Sequence, residues 1–216
     1  MDMFLSLENL VGKRIVCGVG LTWTLMKSMQ SEKCELNLWS ENQCKLNLAL
    51  QVMSECFEPL KDAYTGRDIL EDVIFSRGSD LNRLNFVGFY TVRLEKNDEL
   101  VTVANVRVLG DKVAEVPLIG TRFEYCRRGM CASLMDELEK QLMKLGVERL
   151  ILPATPSALG TWIGAFGFSK LADSDRNQYL DHNFLNFPGT TLCEKVLQKS
   201  PSWHDLVASN QQTKQT

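Results

Sequence analysis

A short basic turn at residues 126–131, with the sequence CRRGMC, combines residue types that suit the binding of an anion. An apolar stripe of helical period begins at Met130, so Gly129 stands where a helix begins. The first N–H groups of a helix have no partner inside the helix, and the helix dipole adds a partial positive charge there. Gly129 has no side chain to block a ligand, and Arg127 and Arg128 add positive charge. The pattern therefore predicts a site for phosphate groups.

Two regular elements flank this turn and would position it. Residues 113–121 (VAEVPLIGT) are rich in Val, Leu and Ile and carry no charge after Glu115, which is typical of a mostly buried strand. After the turn, one apolar stripe recurs at helical spacing: Met130, Leu134, Leu138, Leu142 and Leu145. Gly146 is placed to end that helix. The sequence therefore predicts a strand, a glycine turn and a helix.

This arrangement resembles the acetyl-CoA motif of the GNAT superfamily of N-acetyltransferases, usually written Q/R-x-x-G-x-G/A. Residues 126–131 keep its first glycine, Gly129, and depart from it at the first and sixth positions, where Cys126 and Cys131 stand. The segment Ala114-Glu115-Val116 is similar to the A-E-I of the histone-acetylating branch. Between these two motifs the chain aligns with the family pattern without gaps.

A closer resemblance is to plant histone acetyltransferases of the "increased DNA methylation" type, which carry PHD fingers ahead of a GNAT domain. It is carried by I-G-T-R-x-x-Y-x-R-x-G-M-C at residues 119–131, and by V-M-S-E-C-F-E-P-L, L-N-R-L-N-F-V-G-F-Y and N-F-P-G. It covers residues 46–197. The resemblance implies the GNAT acyl-CoA N-acyltransferase fold, an α/β (α+β) fold with a mixed, mostly antiparallel sheet and helices on both faces.

The resemblance also implies acetyl-CoA as the acetyl donor. In the family the central strand splays from its neighbour and leaves main-chain groups unpaired, so the backbone of Ile119, Gly120 and Thr121 would hold the pantetheine arm and the thioester carbonyl. The pyrophosphate would lie against Cys126, Arg127, Arg128, Gly129, Met130, Cys131 and Ala132. The two cysteines are interpreted as small buried side chains.

By the same resemblance, Glu115 is the general base that removes a proton, through water, from the attacking amine. A carboxylate inside an apolar strand needs a pKa raised by desolvation to accept a proton near neutral pH. Glu124, on the exposed turn, is the next candidate for this role.

The acid that protonates the departing thiolate is left unassigned. Many family members use a tyrosine on the helix after the fifth strand, and here Trp162 and Ile163 stand in that region. Tyr125 and Tyr179 are remote alternatives, and water is another.

The rest of the chain is predicted as helices, three antiparallel strands and then a β-α-β-α-β-β order. The predicted helices lie at 40–59, 69–74 and 157–166, with a helical turn at 194–198. The predicted strands lie at 85–95, 99–108, 113–121 and 147–152, with a last pair beginning at Gly167 and at Tyr179 and ending at Phe187. Gly18-Val19-Gly20 is interpreted as a hairpin or strand turn, because Trp23 replaces the third glycine of a nucleotide loop.

Three regions follow from this pattern: an N-terminal segment of undetermined structure at 1–40, a GNAT domain at 41–199 and a polar, disordered tail at 200–216. The net charge of −3 argues against direct nucleic acid binding, and a basic lysine-containing peptide, a histone tail by resemblance, is the expected partner. Seven scattered cysteines favour a reducing compartment, nuclear by resemblance or cytosolic. No metal site, membrane span or PHD finger is expected, since the chain has no C-x-x-C and no long apolar run.

Two other functions stay open on the sequence. An enzyme that acetylates a small amine would have a closed pocket in place of a shallow acidic groove. A catalytically silent domain that binds acyl-CoA or a chromatin partner is favoured by the two motif departures and by the missing tyrosine.

Overall fold

The computed structural model describes residues 3–29, 36–172, 174, 179 and 182–197. Within these residues, one sheet of eight strands carries helices on both faces. In chain order the elements are α1 (Met3–Glu8), β1 (Arg14–Gly18), β2 (Leu21–Met26), α2 (Leu36–Cys56), α3 (Ile69–Ile74), β3 (Phe89–Lys96), β4 (Glu99–Leu109), β5 (Val113–Thr121), α4 (Met130–Leu145), β6 (Arg149–Ala154), α5 (Pro156–Gly164), β7 (Ser169–Lys170) and β8 (Thr191–Val196). Short 3₁₀ turns lie at Asn82–Leu84 and Phe123–Tyr125.

The sheet runs in the order β1-β2-β3-β4-β5-β6-β8-β7. Neighbouring strands are antiparallel except β5 and β6, which are parallel and joined through α4. The predicted mixed, mostly antiparallel sheet is therefore confirmed. The predicted hairpin is confirmed as well, since β1 and β2 pair across Val19 and Gly20. Because β2 also pairs with β3, two strands that precede residue 41 lie in the same sheet.

Each face of the sheet has its own apolar core. On one face, Leu134 and Leu138 of α4 cluster with Val92 of β3. On the other face, Met53 of α2 clusters with Phe89 of β3 and with residues of α3. Successive side chains of a strand point to opposite faces, so one strand can supply both cores.

The helix α4 has the bounds that its apolar stripe predicts. Its stripe residues Leu134, Leu138 and Leu142 are buried, while Asp136, Lys140 and Lys144 are exposed on the outer face. The helix ends at Gly146, which adopts the left-handed conformation with φ 94° and donates its N–H to the Leu142 and Met143 carbonyls. The strand before it, β5, also has its predicted bounds, and its residues 113–118 are all buried.

The strand β5 pairs over different lengths with its two neighbours, β4 and β6. The antiparallel pairing with β4 runs from Val113 to Thr121, interrupted by one irregularity between Asn105 and Arg107. The parallel pairing with β6 covers only three residues and stops at the Glu115–Ile151 pair. Both strands continue beyond that pair, β6 along β8 and β5 along β4. The two strands therefore diverge, and we call the opening between them the wedge.

Two elements near the C-terminal end differ from the prediction. The strand predicted to end at Phe187 is wrong, because residues 182–187 have no regular structure and Tyr179 lies in a 3₁₀ turn. The backbone of this stretch bonds to side chains of the sheet: the Leu185 N–H donates to Glu115, and the Asn183 carbonyl accepts from Arg107.

The helical turn predicted from Glu194 is also wrong, because residues up to Val196 belong to β8. Pairing with the whole of β6 overrides the local helical preference of Glu and Lys. The strand predicted from Gly167 is reduced to Ser169–Lys170. The predicted tail at 200–216 lies outside the described residues. Among the residues that are described, no helix is long and apolar enough to cross a membrane.

Candidate active site

The glycine turn before α4 presents an open helix end. Gly129 is the N-cap residue with φ 77°, and no side chain caps the helix. The N–H groups of residues 129–132 donate no hydrogen bond to any described residue, as the geometry of a helix start dictates. A Cβ atom built on Gly129 would meet nothing within 4 Å. These four donors therefore have no acceptor among the described residues, and the position beside Gly129 is open, which fits the predicted pyrophosphate site.

The three arginines between residues 122 and 128 differ in their contacts. Arg122 is engaged by carboxylates, at 2.9 Å from Glu99 and 3.8 Å from Glu55. Arg127 and Arg128 are exposed and form no ion pair with a described residue. Arg127 also holds a left-handed backbone with φ 60°, which is costly for a residue with a side chain. The charge available to an anion therefore comes from Arg127 and Arg128.

The cysteines at the motif departures have separate surroundings. Cys131, in the first turn of α4, is partly buried against the core, and burial raises the pKa of its thiol to about 12. Cys126 is exposed, so the interpretation of both as buried side chains holds only for Cys131. The Cys126 thiol donates to the Thr121 carbonyl at 3.4 Å, and the Cys56 thiol donates to the same oxygen at 3.3 Å.

The predicted pantetheine strand borders the wedge. Ile119, Gly120 and Thr121 each pair with β4 on one side and with no residue of β6 on the other. Alternate main-chain groups of a strand point to opposite neighbours, so this stretch directs unpaired groups into the wedge. A Cβ on Gly120 would lie 3.0 Å from the Cys56 sulfur and 3.2 Å from the Met53 sulfur. Glycine at this position therefore allows the close approach of α2.

Glu115 lies at the start of the wedge, and its carboxylate is closed off from solvent. Its side chain is 1% exposed. Its Oε1 atom accepts from the Arg107 Nε at 2.6 Å and also from the Arg107 Nη2, and its Oε2 accepts from the Leu185 N–H at 2.8 Å. Burial raises the pKa of Glu115, whereas the Arg107 charge and the Leu185 N–H lower it. The direction agrees with the requirement for a base, but neither oxygen is free in this arrangement.

A segment from the far end of the chain covers this carboxylate. We call residues 182–187 the strap. Its Asn183 carbonyl accepts from the Arg107 Nη2 at 2.9 Å, so the same guanidinium contacts both Glu115 and the strap. Sequence analysis missed Arg107 and the strap. The Arg107–Glu115 pair had one signal in the sequence. Arg107 interrupts the apolar run of β4 and faces Glu115 across the 109–112 hairpin.

The remaining candidates for proton transfer are engaged elsewhere. Trp162 is buried against Phe166, at 4.6 Å between ring centroids, and supplies no acid. The Tyr125 hydroxyl donates to Glu99 at 2.6 Å, a contact that raises its pKa. Burial, followed by the charge of Glu194, raises the pKa of Tyr179.

The alternative base gains no support from its surroundings. Glu124 is exposed, and its carboxylate lies 4.0 Å from the Arg122 guanidinium. Within residues 3–29, 36–172, 174, 179 and 182–197, no group of three His, Cys, Asp or Glu residues gathers in a way that could hold a metal ion.

Comparison with known proteins adds a family and a fold. Residues 57–196 match the family described as "Increased DNA methylation 1, C-terminal domain". The protein named Increased DNA methylation 1 from Arabidopsis thaliana is 41% identical over 186 residues, which are 84% of this chain. The chain spans only 16% of the length of that relative.

Solved structures with a similar fold are acetyltransferases. Tetrahymena GCN5 superposes with a TM-score of 0.58 at 18% identity, over 73% of this chain and 89% of that one. The ribosomal-protein-S18-alanine N-acetyltransferase of Escherichia coli superposes with a TM-score of 0.50 at 15% identity, over 84% and 97%. At these identities the likeness establishes the fold, and the predicted GNAT fold is confirmed.

Proposed function

Because this chain belongs to the Increased DNA methylation 1 C-terminal domain family, we propose that it transfers the acetyl group of acetyl-CoA to a lysine side chain of a protein, in the first place a histone tail. The observation that carries the proposal is the coincidence, at one end of β5, of an open wedge and an open helix end. The first suits an extended amide-containing arm, and the second suits a pyrophosphate. Nuclear action fits the chromatin role implied by the family resemblance.

The donor would be held mostly by main chain. The N–H groups of residues 129–132 bind the pyrophosphate, and the exposed charges of Arg127 and Arg128 strengthen that contact. Ile119, Gly120 and Thr121 bind the pantetheine amides as a neighbouring strand would. Acetyl-CoA, when bound, supplies the acetyl group as a thioester. The unpaired main-chain groups of β5 would hold the thioester carbonyl.

Glu115 would act on the acceptor. It accepts a proton from the lysine ammonium through one water, which leaves a neutral amine able to attack the thioester. The burial that raises its pKa supports this role. Since Oε2 is occupied by the Leu185 N–H, the water reaches that oxygen when this contact opens.

The surroundings of the site favour a basic acceptor. Three exposed carboxylates, Glu55, Glu99 and Glu124, lie within 4.0 Å of Arg122 near the end of β5. Arg122 offsets part of their charge, and Arg127 and Arg128 are assigned to the pyrophosphate, so the rim suits a cationic acceptor such as a lysine side chain.

Labelled acetyl-CoA tests the proposal most directly. We expect the purified chain to label core histones on lysine, with a kcat/KM well above that for spermine or free lysine. Equal or reversed preference would move the function to small amines. Mass spectrometry of the labelled histones identifies the modified lysines, and a reaction without protein gives the uncatalysed background.

The enclosure of Glu115 favours one alternative, a silent domain that binds acyl-CoA without turnover. Its side chain is 1% exposed and both carboxylate oxygens accept hydrogen bonds, as in a purely structural ion pair. Thermal stabilisation by CoA without labelling of any amine would establish this alternative.

A further inference from the structure

We propose that Arg107 is a positioning residue for this reaction: it fixes the orientation of the Glu115 carboxylate and ties it to the strap. The inference rests on the proposed acetyl transfer. It concerns a side chain near the C-terminal end of β4 that lies outside both motifs by which the chain resembles its family.

The contacts of Arg107 leave its guanidinium a single position. Nε and Nη2 both donate to Glu115 Oε1, Nη2 donates to the Asn183 carbonyl at 2.9 Å, and Cζ lies 4.4 Å from the centroid of the Phe89 ring. Cross-strand pairing sets the register, since Arg107 stands opposite Glu115 on one side and opposite Phe89 on the other. A planar guanidinium can make these contacts together, whereas a lysine ammonium cannot.

No other described charged group contacts this carboxylate. From β4 it meets Arg107, from β6 its partner is the apolar Ile151, and from the strap it meets the backbone N–H of Leu185. Arg107 therefore supplies the one charge among the described contacts that opposes the desolvation of Glu115, and the Leu185 N–H acts in the same direction. Without that charge, the folded protein would hold Glu115 protonated up to a higher pH.

The arrangement assigns different tasks to the two carboxylate oxygens. Oε1 stays on Arg107, which holds the plane of the carboxylate in place. Oε2 is held only by the Leu185 N–H, and this is the oxygen that takes the proton when the strap contact opens. The proton passes from the substrate ammonium through water to Oε2, giving a neutral amine and a neutral carboxylic acid. No other bond changes in this step.

Four variants test the assignment: Arg107→Met removes the charge, Arg107→Lys keeps it without the planar contacts, Glu115→Gln removes the base, and Arg107→Met/Glu115→Gln removes both partners. Arg93→Met is the matched control, because Arg93 is a 5% exposed arginine of β3 that pairs with Glu95 and does not contact Glu115. For each variant the pH profile of kcat/KM, the KM for acetyl-CoA and the melting temperature are measured.

Positioning predicts a specific pattern. Arg107→Met lowers kcat by roughly 10²-fold, the effect of a misplaced catalytic group, and moves the acid limb of the profile to higher pH, with KM for acetyl-CoA unchanged. Arg107→Lys recovers part of kcat and returns the acid limb of the pH profile to its wild-type position. Arg93→Met loses stability and keeps the wild-type profile. The double variant is no less active than Glu115→Gln alone, since Arg107 acts through Glu115.

The opposite results separate this inference from the proposed function. If Arg107→Met and Arg93→Met slow the enzyme alike with no shift of the limb, the ion pair is structural and acetyl transfer stands. Full activity of Glu115→Gln would likewise show that the Arg107–Glu115 pair is structural. If the wild-type chain labels no amine, both ideas fail. Should Arg107→Met not fold, the double variant decides, because it leaves no unpaired buried charge, and activity far below Glu115→Gln would overturn the positioning role.

Discussion

The Gly129 turn and the Glu115 carboxylate form the two halves of the proposed site, and their polar groups are satisfied in opposite ways. At the turn, four N–H groups face free space and two arginines have no ion pair with a described residue. At Glu115, both oxygens are bonded and the side chain is 1% exposed. The donor side is thus formed in advance, whereas the acceptor side must first open.

The physical cause lies in the groups themselves. The first N–H groups of a helix are unpaired by geometry, and at an exposed end water satisfies them at little cost. A carboxylate inside a strand has no such option, because burying it without a partner costs several kcal/mol. It therefore recruits Arg107 and the strap. Both the open donor site and the closed acceptor base follow from one rule: a polar group is satisfied by water where it is exposed and by a protein partner where it is buried.

The largest effect is expected at the closed half of the site, where Glu115 lies. Glu115→Gln should lower kcat by about 10²–10⁴, the usual range for loss of a general base. The loss should shrink at high pH, where the amine is already deprotonated. Stabilisation by CoA, measured as a melting shift, should persist because the turn is unchanged. A variant with full activity at neutral pH would move the base elsewhere, with Glu124 the next residue to replace.

The second effect concerns the open half. Gly129→Asp places bulk and negative charge in front of the free N–H groups, so CoA should no longer stabilise the protein by the ~2.7 kcal/mol expected at a hundredfold excess over its Kd. Gly110→Asp is the matched control, since Gly110 is also left-handed, with φ 64°, and also has open space around it. A CoA-induced melting shift that survives in Gly129→Asp would rule out the turn as the phosphate site.

A smaller effect tests the strand between the halves. Gly120→Ala forces a methyl group against two sulfur atoms, Cys56 at 3.0 Å and Met53 at 3.2 Å. Overpacking of this kind costs about 1–3 kcal/mol, which denaturant unfolding can measure. Gly160→Ala in α5 meets nothing within 4 Å and should leave stability equal or slightly higher. Equal behaviour of the two variants would contradict the close approach of α2.

The smallest effect is at Arg127. Arg127→Gly removes the cost of a left-handed side-chain residue, φ 60°, and adds the entropy cost of glycine, so the free energy of unfolding should change by less than about 1 kcal/mol. The affinity for CoA should fall a few-fold, with a weaker dependence on salt, because one charge near the phosphates is lost. Titration of CoA at two salt concentrations checks this. An affinity equal to wild type at low salt would show that Arg127 does not face the ligand.

The sequence predicts local elements well and distant contacts poorly. The bounds of β5 and α4 follow from apolar runs and glycines that lie within a few residues of one another. The Arg107–Glu115 pair depends on cross-strand register, and the strap comes from a stretch about 70 residues further along the chain. The strand predicted to end at Phe187 fails for the same reason, since the backbone of this stretch bonds to Arg107 and Glu115, which lie far away in the sequence.

The wedge has a consequence for the sheet as a whole. Beyond Glu115, β5 has no strand paired on its β6 side, as an edge strand does, although it lies in the middle of an eight-stranded sheet. An edge of this kind can pair with any extended chain, which is a route to aggregation. A ligand with amides along its length would act as a substitute strand and close the edge. Hydrogen exchange at residues 119–121 should therefore slow when CoA binds, and the ligand-free protein should be the more prone to self-association.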